Sequence, residues 1–370
     1  MNWRVGLIVN AVAGVGGPTA LRGSDGVAAE ALALGAEPQA LARAAEALRA
    51  MHELKPQLTL ITGSGSLGAD AAQAAGWSSE IVYRTSVPSS AEDSAALARR
   101  LSLMQVDLLL FAGGDGTARD VVECVGDTLP VLGIPAGVKM YSGVFATTPA
   151  AAGTLALRYL RSHLRRTRQC EVMDLDESDL RRDRIEPSLF GYASSPEDPR
   201  LLQGKKIRSP AGDSQQMQAI AASVIESMDP QRLYLIGPGS TTWAVKQGLQ
   251  GQASMLGVDA YVGQRLVLKD ATAAALTELT HERAAHAIVT CIGGQGHIFG
   301  RGNQQFSPEV VRRIGRRRVS VLATPAKLMS LAGRAFIADL DDAAAAAEMT
   351  GHVEVISGYQ SKAFYRCEAF

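Results

Sequence analysis

"LLLFAGGDGTARDVV", residues 108–122, decides how this chain is read. An unbroken apolar run of five residues enters Gly113-Gly114-Asp115-Gly116-Thr117, and a helix-like stretch follows. A continuous apolar run without alternation marks a strand buried on both faces, as in a parallel sheet. Glycine lets backbone N–H groups approach a ligand with no Cβ in the way. A helix starting near Thr117 or Ala118 would aim its free N–H groups into the same loop, an arrangement that suits phosphate. Asp115 would repel a bare phosphate, so its place among the glycines asks for a second task. Two tasks fit: accepting the proton of an attacking hydroxyl, or helping to hold Mg²⁺ on the phosphates.

Working outward, the same rhythm repeats through the first part of the chain. Strand-like segments at 4–10, 58–62, 80–84, 106–112 and 130–135 alternate with helical spacing at 40–54, 89–104 and 149–166. The helix at 89–104 opens with serines and acids, as an N-terminal cap requires. This alternation predicts an α/β domain, a doubly wound parallel sheet covered on both faces. Ligands in such sheets bind at the carboxyl ends of strands, where the glycine loops after Asn10, Thr62 and Ala112 fall.

Beyond residue 168 the strands become shorter and turns more frequent. Strand-like segments at 170–177, 232–237, 256–263, 264–270, 284–290 and 317–324 are interleaved with helical stretches at 213–228, 241–250, 270–280 and 308–314. That pattern predicts a second, β-rich α+β domain. The expected division is 1–168, 169–340, and a C-terminal segment at 341–370 that could add strands to either domain. Residues 181–188 and 194–214 read as loops.

Composition narrows the function. The chain has 370 residues, 46% of them apolar, with 37 Lys+Arg against 37 Asp+Glu. A net charge of zero argues against a general electrostatic grip on nucleic acid or an anionic membrane. The basic run Arg316-Arg317-Arg318 reads as a solvated face. Cys124, Cys170, Cys291 and Cys367 are far apart and form no C-x-x-C pair, so they read as free thiols of a reducing compartment. With no signal-like segment and no apolar stretch of membrane-spanning length, the expectation is a soluble, cytoplasmic protein.

One motif is set aside. "GSGSLG" (63–68) fits G-x-G-x-x-G, but no acidic residue closes the following strand, since Glu80 precedes it. Asp259, mid-strand in "GVDAYVG", is either buried with a partner or functional. Lys139 either offsets phosphate charge or covers its loop.

"GGDGT" after a hydrophobic strand resembles the signature of the NAD kinase superfamily, which includes diacylglycerol and sphingosine kinases. "LIVNAVAGVGG" (7–17) resembles the asparagine-plus-glycine loop after their first strand. "GPGSTT" (237–242) resembles the loop by which NAD kinases grip the dinucleotide. "LRGSDG" (21–26), "GVKMYSGVFA" (137–146) and "GGQGHIFGRGNQQFSPEVVRRIG" (293–315) resemble the bacterial branch of predicted ATP-NAD kinases and acetoin-catabolism X proteins.

The resemblance implies a Mg²⁺-dependent kinase that moves a phosphoryl group from ATP or polyphosphate to a hydroxyl of NAD or a related small molecule. It implies Asp115 as the catalytic base. Asn10, Gly113, Gly114, Gly116 and Thr117 would hold the phosphate donor. Asp176, Glu177, Gly239, Ser240 and Thr241 would hold the acceptor, with Arg301 and Asn303 as further donors from the glycine-rich loop. The metal ligands are not assigned. It also implies a homo-oligomer.

Two departures keep alternatives open. Asp176-Glu177 stands where NAD kinases carry Asn-Glu, and an ionised aspartate cannot donate as asparagine does. Ala118-Arg119-Asp120 stands where the lipid kinases carry x-Asn-Glu. A lipid or small-polyol kinase and a non-catalytic nucleotide sensor are the alternatives.

Overall fold

The computed structural model describes residues 2–21, 26–85, 89–138, 140–174, 187–198, 200–202 and 213–370. These fall into two compact units. The first holds the described residues up to 15, from 26 to 174 and from 187 to 202, and the second holds 16–21 and 213–370.

The first unit is built on five strands: β1 (Trp3–Val9), β2 (Leu58–Gly63), β3 (Ser79–Tyr83), β4 (Leu108–Gly113) and β5 (Val131–Pro135). Their order is β3-β2-β1-β4-β5, and every neighbouring pair is parallel. The expected doubly wound sheet is therefore present. Val5, Leu7 and Val9 of β1 and Leu108 and Leu110 of β4 enter one core, while Ile8, Leu109 and Phe111 enter the core on the other face. Successive side chains of a strand point to opposite faces, so a strand buried on both needs an unbroken apolar run. Helix Ala91–Leu103 opens as its serines and acids predict: Ser90 and Asp93 form a capping box.

Strand order reverses between β1 and β4, and the chain leaves both strands on the same edge. That crevice is the topological switch point, where open α/β sheets bind ligands. A two-stranded antiparallel ribbon, β6 (Thr167–Asp174) and β7 (Ser188–Pro196), completes this unit. β7 runs into the stretch expected as a loop from residue 194, because its Ser, Gly and Pro content hides the strand.

The second unit holds β8 (Leu233–Ile236), β9 (Asp259–Val262), β10 (Arg265–Leu268), β11 (Ala285–Thr290), β12 (His297–Phe299), β13 (Val319–Leu322), β14 (Phe336–Ala338), β15 (Gly351–Gly358) and β16 (Ser361–Ala369). They form one mixed sheet, β10-β9-β8-β11-β13-β15-β16-β14-β12. β8, β11, β13 and β15 run parallel, while β15 and β16 form an antiparallel hairpin. A β-rich second body with helices is thus as expected, and residues 351–369 supply two of its strands.

Candidate active site

The loop after β4 begins its helix earlier than the sequence suggests. The helix spans Asp115–Val125, with Gly114 in an extended conformation as its cap, so Asp115 is the first helical residue. A carboxylate in the first turn suits the positive end of the helix dipole, which explains the earlier start.

Three loops meet at this edge of the first unit. Asn10 donates its backbone N–H to the carbonyl of Ala112 (3.0 Å) and its Nδ2 to Thr117 Oγ1 (3.0 Å), which ties the end of β1 to the start of the helix. The Gly113 carbonyl accepts from the N–H groups of Ala136 and Gly137, both at 3.0 Å. A Cβ added at Gly113 would overlap the Thr117 side chain, and one at Gly137 would stand 2.7 Å from Gly114 Cα. The glycines here are therefore required first of all by backbone-to-backbone packing.

Asp115 is 6% exposed. Its carboxylate accepts from the N–H of Tyr141 (Oδ2, 2.7 Å) and of Ser142 (Oδ1, 2.9 Å). Ser142 is fully buried and is itself anchored, since its Oγ accepts from Met173 N at 2.9 Å. These two backbone bonds, one to each oxygen, orient the carboxylate. Arg43, which nothing in the sequence distinguishes from its helix-surface neighbours, is 6% exposed and donates to the Pro135 carbonyl at 3.0 Å, fixing the end of β5.

In the second unit, Gly239 (φ +130°) caps helix Ser240–Gly248. A side chain at Gly239 would strike Thr290. Ser240 and Thr241 form the first helical turn. Thr241 Oγ1 accepts from Lys327 Nζ at 2.9 Å, and Thr290 Oγ1 accepts from the same ammonium at 3.1 Å. Lys327 is 8% exposed. Burial lowers its pKa, against the opposing effects of Cys291 and Asp213. Lys327 was not legible in the sequence, where it is one lysine of an ordinary helix, Pro325–Ser330.

Helix Ser240–Gly248 is locked at its other end. Lys246 and Asp259, both fully buried, pair at 2.8 Å. Lys246 Nζ also donates to the carbonyls of Ser254 and Gly257, and Asp259 accepts from the N–H groups of Ser254 and Asp270. Of the two readings of Asp259, burial with a partner is the one observed.

Arg301 and Asn303 sit within the second unit, each with protein partners of its own. Arg301 is buried and pairs with Asp339 at 3.4 Å, and Asn303 Nδ2 donates to the Ile298 carbonyl at 2.8 Å while its Oδ1 has no hydrogen-bond partner. Asp176, Glu177, Lys139 and Asp25 lie outside the described residues. Among the described residues no three acidic, histidine or cysteine side chains converge as a metal cage. Mg²⁺ on a nucleotide is held largely by phosphates and water, and needs few protein ligands. All four cysteines are free, and no helix among the described residues is long and apolar enough to cross a membrane.

No curated protein and no solved structure matches the chain. Family models do. The ATP-NAD kinase N-terminal domain matches residues 5–164, and the ATP-NAD kinase C-terminal domain matches residues 231–367. The two matches take in the switch-point loops of the first unit and the Gly239–Thr241 helix start of the second. With that geometry and most of the chain accounted for, the protein belongs to the NAD kinase superfamily and is a phosphotransferase that uses an alcohol group as acceptor.

Proposed function

We propose that the chain transfers the γ-phosphoryl group of ATP to a hydroxyl of NAD or a closely related nucleotide, with Mg²⁺, in the cytoplasm and as a homo-oligomer of the acetoin-catabolism X-like branch. The observation that carries this reading is Asp115, held by two backbone N–H donors at the switch point of the parallel sheet, inside a glycine loop at a helix N-terminus. Asn10, Gly113, Gly114, Gly116 and Thr117 border the polyphosphate of the donor. Asp115 orients the acceptor hydroxyl and takes its proton as the new O–P bond forms and the bond to the leaving ADP oxygen breaks. Phosphoryl transfer passes through a loose transition state, so positioning matters more than basicity, and a carboxylate fixed by its backbone suits that task. Bound Mg²⁺ would neutralise charge on the phosphates, held there largely by the phosphates and water.

Gly239, Ser240 and Thr241 contact the acceptor, joined by Asp176, Glu177, Arg301 and Asn303. Lys327 beneath Thr241 adds a positive charge that favours a phosphate-bearing acceptor. The test is the purified chain with Mg²⁺ and ATP or polyphosphate, offered NAD, NADH, nicotinamide mononucleotide, small polyols and diacylglycerol, with products read by mass spectrometry for a gained phosphoryl group. Phosphorylated NAD supports the proposal. Phosphorylated diacylglycerol or polyol transfers the assignment to that acceptor, and nucleotide binding with no product from any acceptor makes the chain a sensor.

A further inference from the structure

The second unit contains a cavity of about 650 Å³ that none of the glycine loops lines. It lies over the sheet face formed by β8, β11, β13, β15 and β16. Its floor is apolar and partly aromatic, with Tyr234, Ile288, Ile356 and Met228. That volume falls in the range of about 300–1,000 Å³ typical of small-molecule sites.

Its charges are unbalanced. Arg232, Arg316, Arg317 and Lys362 line it against one carboxylate, Glu354. Glu354 already has two partners: Oε1 accepts from Ser320 Oγ at 2.8 Å and Oε2 accepts from Lys362 Nζ at 3.2 Å. Ser320 spends its only proton on Glu354, so His286 Nε2, 2.9 Å from Ser320 Oγ, is the donor in that contact. These groups form a polar row across neighbouring strands, and no second carboxylate lines the cavity to pair with the remaining cations. Arg232 reaches Asp229 only at 4.0 Å. The Arg316 and Arg317 side chains have no hydrogen-bond or ion-pair partner among the described residues. Arg316 is nonetheless placed: its guanidinium lies where a Cβ on Gly351 would be. Guanidinium groups on two consecutive residues, both lining the cavity beside an apolar floor, are the complement of a phosphate joined to an apolar ring.

We propose that this cavity is a second ligand site, which binds a phosphorylated small molecule with a flat apolar body, of the class of a nucleoside monophosphate. Its phosphate pairs with Arg316 and Arg317 and its body covers Tyr234, Ile288 and Ile356. The site is independent of the phosphoryl-transfer reading, and the test requires no turnover.

Hydrogen–deuterium exchange on the full chain, with AMP as probe, locates binding by peptide. AMP is expected to slow exchange in the peptides covering 316–322 and 351–364. Adenosine or inorganic phosphate alone is expected to need at least tenfold higher concentration. The Arg316→Gln/Arg317→Gln variant, which leaves the apolar core unchanged, is expected to keep the unfolding midpoint of the wild type and to require at least tenfold more AMP for the same protection. Any AMP effect at 108–117 should be the same in both proteins. The proposal is overturned by absence of protection at 316–364, by equal protection in the variant, or by protection that rises with protein concentration in the absence of AMP. The last result would mean that a second copy of the chain covers this face.

Discussion

Gly137→Ala probes the arrangement that orients Asp115. Gly137 does not occupy the left-handed region, so the substitution tests space alone. The new Cβ would stand 2.7 Å from Gly114 Cα and 3.4 Å from Gly114 N. Carbon atoms pack best at about 3.5–4.0 Å, so the loop at 136–142 must retreat from the loop at 113–117 by roughly 1 Å. The N–H groups of Tyr141 and Ser142 travel with it, and their bonds to Asp115, now 2.7 and 2.9 Å, would stretch past hydrogen-bonding range. Hydrogen bonds to a charged group contribute about 1.5–3 kcal/mol each, and overpacking strain costs about 1–3 kcal/mol. Because the loops yield partially, the expected loss is about 2–4 kcal/mol in the unfolding transition of the first unit, read by urea titration. Turnover should fall by about 10²-fold, the effect of misplacing a reacting group by about 1 Å. An alanine variant within about 0.5 kcal/mol of wild type, with unchanged turnover, would refute the close approach and the argument built on it.

Other expectations concern the second unit. Asp259→Asn keeps the shape but leaves the Lys246 ammonium buried without its counter-ion, and should cost about 3–5 kcal/mol in chemical unfolding. His286 is held neutral down to about 4, chiefly by burial, with Arg232, Lys362 and Arg318 adding to the shift and Glu354 opposing it. Its folded pKa lies below the ordinary 6.5, so the unfolded chain binds the extra proton first; its contribution is intact above pH 6.5 and is lost as pH falls toward 4. His286→Gln should flatten the wild-type decline in unfolding midpoint between those values, and an unchanged decline would exclude His286 as its source. The Arg316→Gln/Arg317→Gln variant is expected to lose AMP protection on the sheet face as described above.

The parallel sheet was readable because its strands are buried on both faces, so Leu108–Phe111 and Val5–Val9 show as apolar runs with almost no interruption. The short strands were not. β12 and β14 have three residues each, too few for a period, and they form only because neighbours of distant sequence position pair with them. At the site, residue type and spacing pointed to Asp115 but not to its environment. The bonds from Tyr141 and Ser142 span more than twenty positions and follow from the close approach of two glycine loops. Burial likewise decides Lys327 and Arg43, and no local pattern marks which cation the fold will enclose. Arg301 is a further case. A glycine-rich context suggested a ligand donor but gave no sign of the ion pair with Asp339 that the fold adds.

The central claim is that Asp115 receives the proton of the acceptor hydroxyl during phosphoryl transfer. Asp115→Asn retains the shape and can accept one of the two backbone bonds through its amide oxygen, while its NH2 faces the other N–H donor, and it cannot take a proton. Single-turnover transfer from ATP to NAD with Mg²⁺, measured beside ATP and NAD binding by calorimetry, tests that claim most directly. The account predicts a transfer rate reduced by about 10²–10⁴-fold with both affinities within about threefold of wild type. Transfer at the wild-type rate in this variant would contradict it.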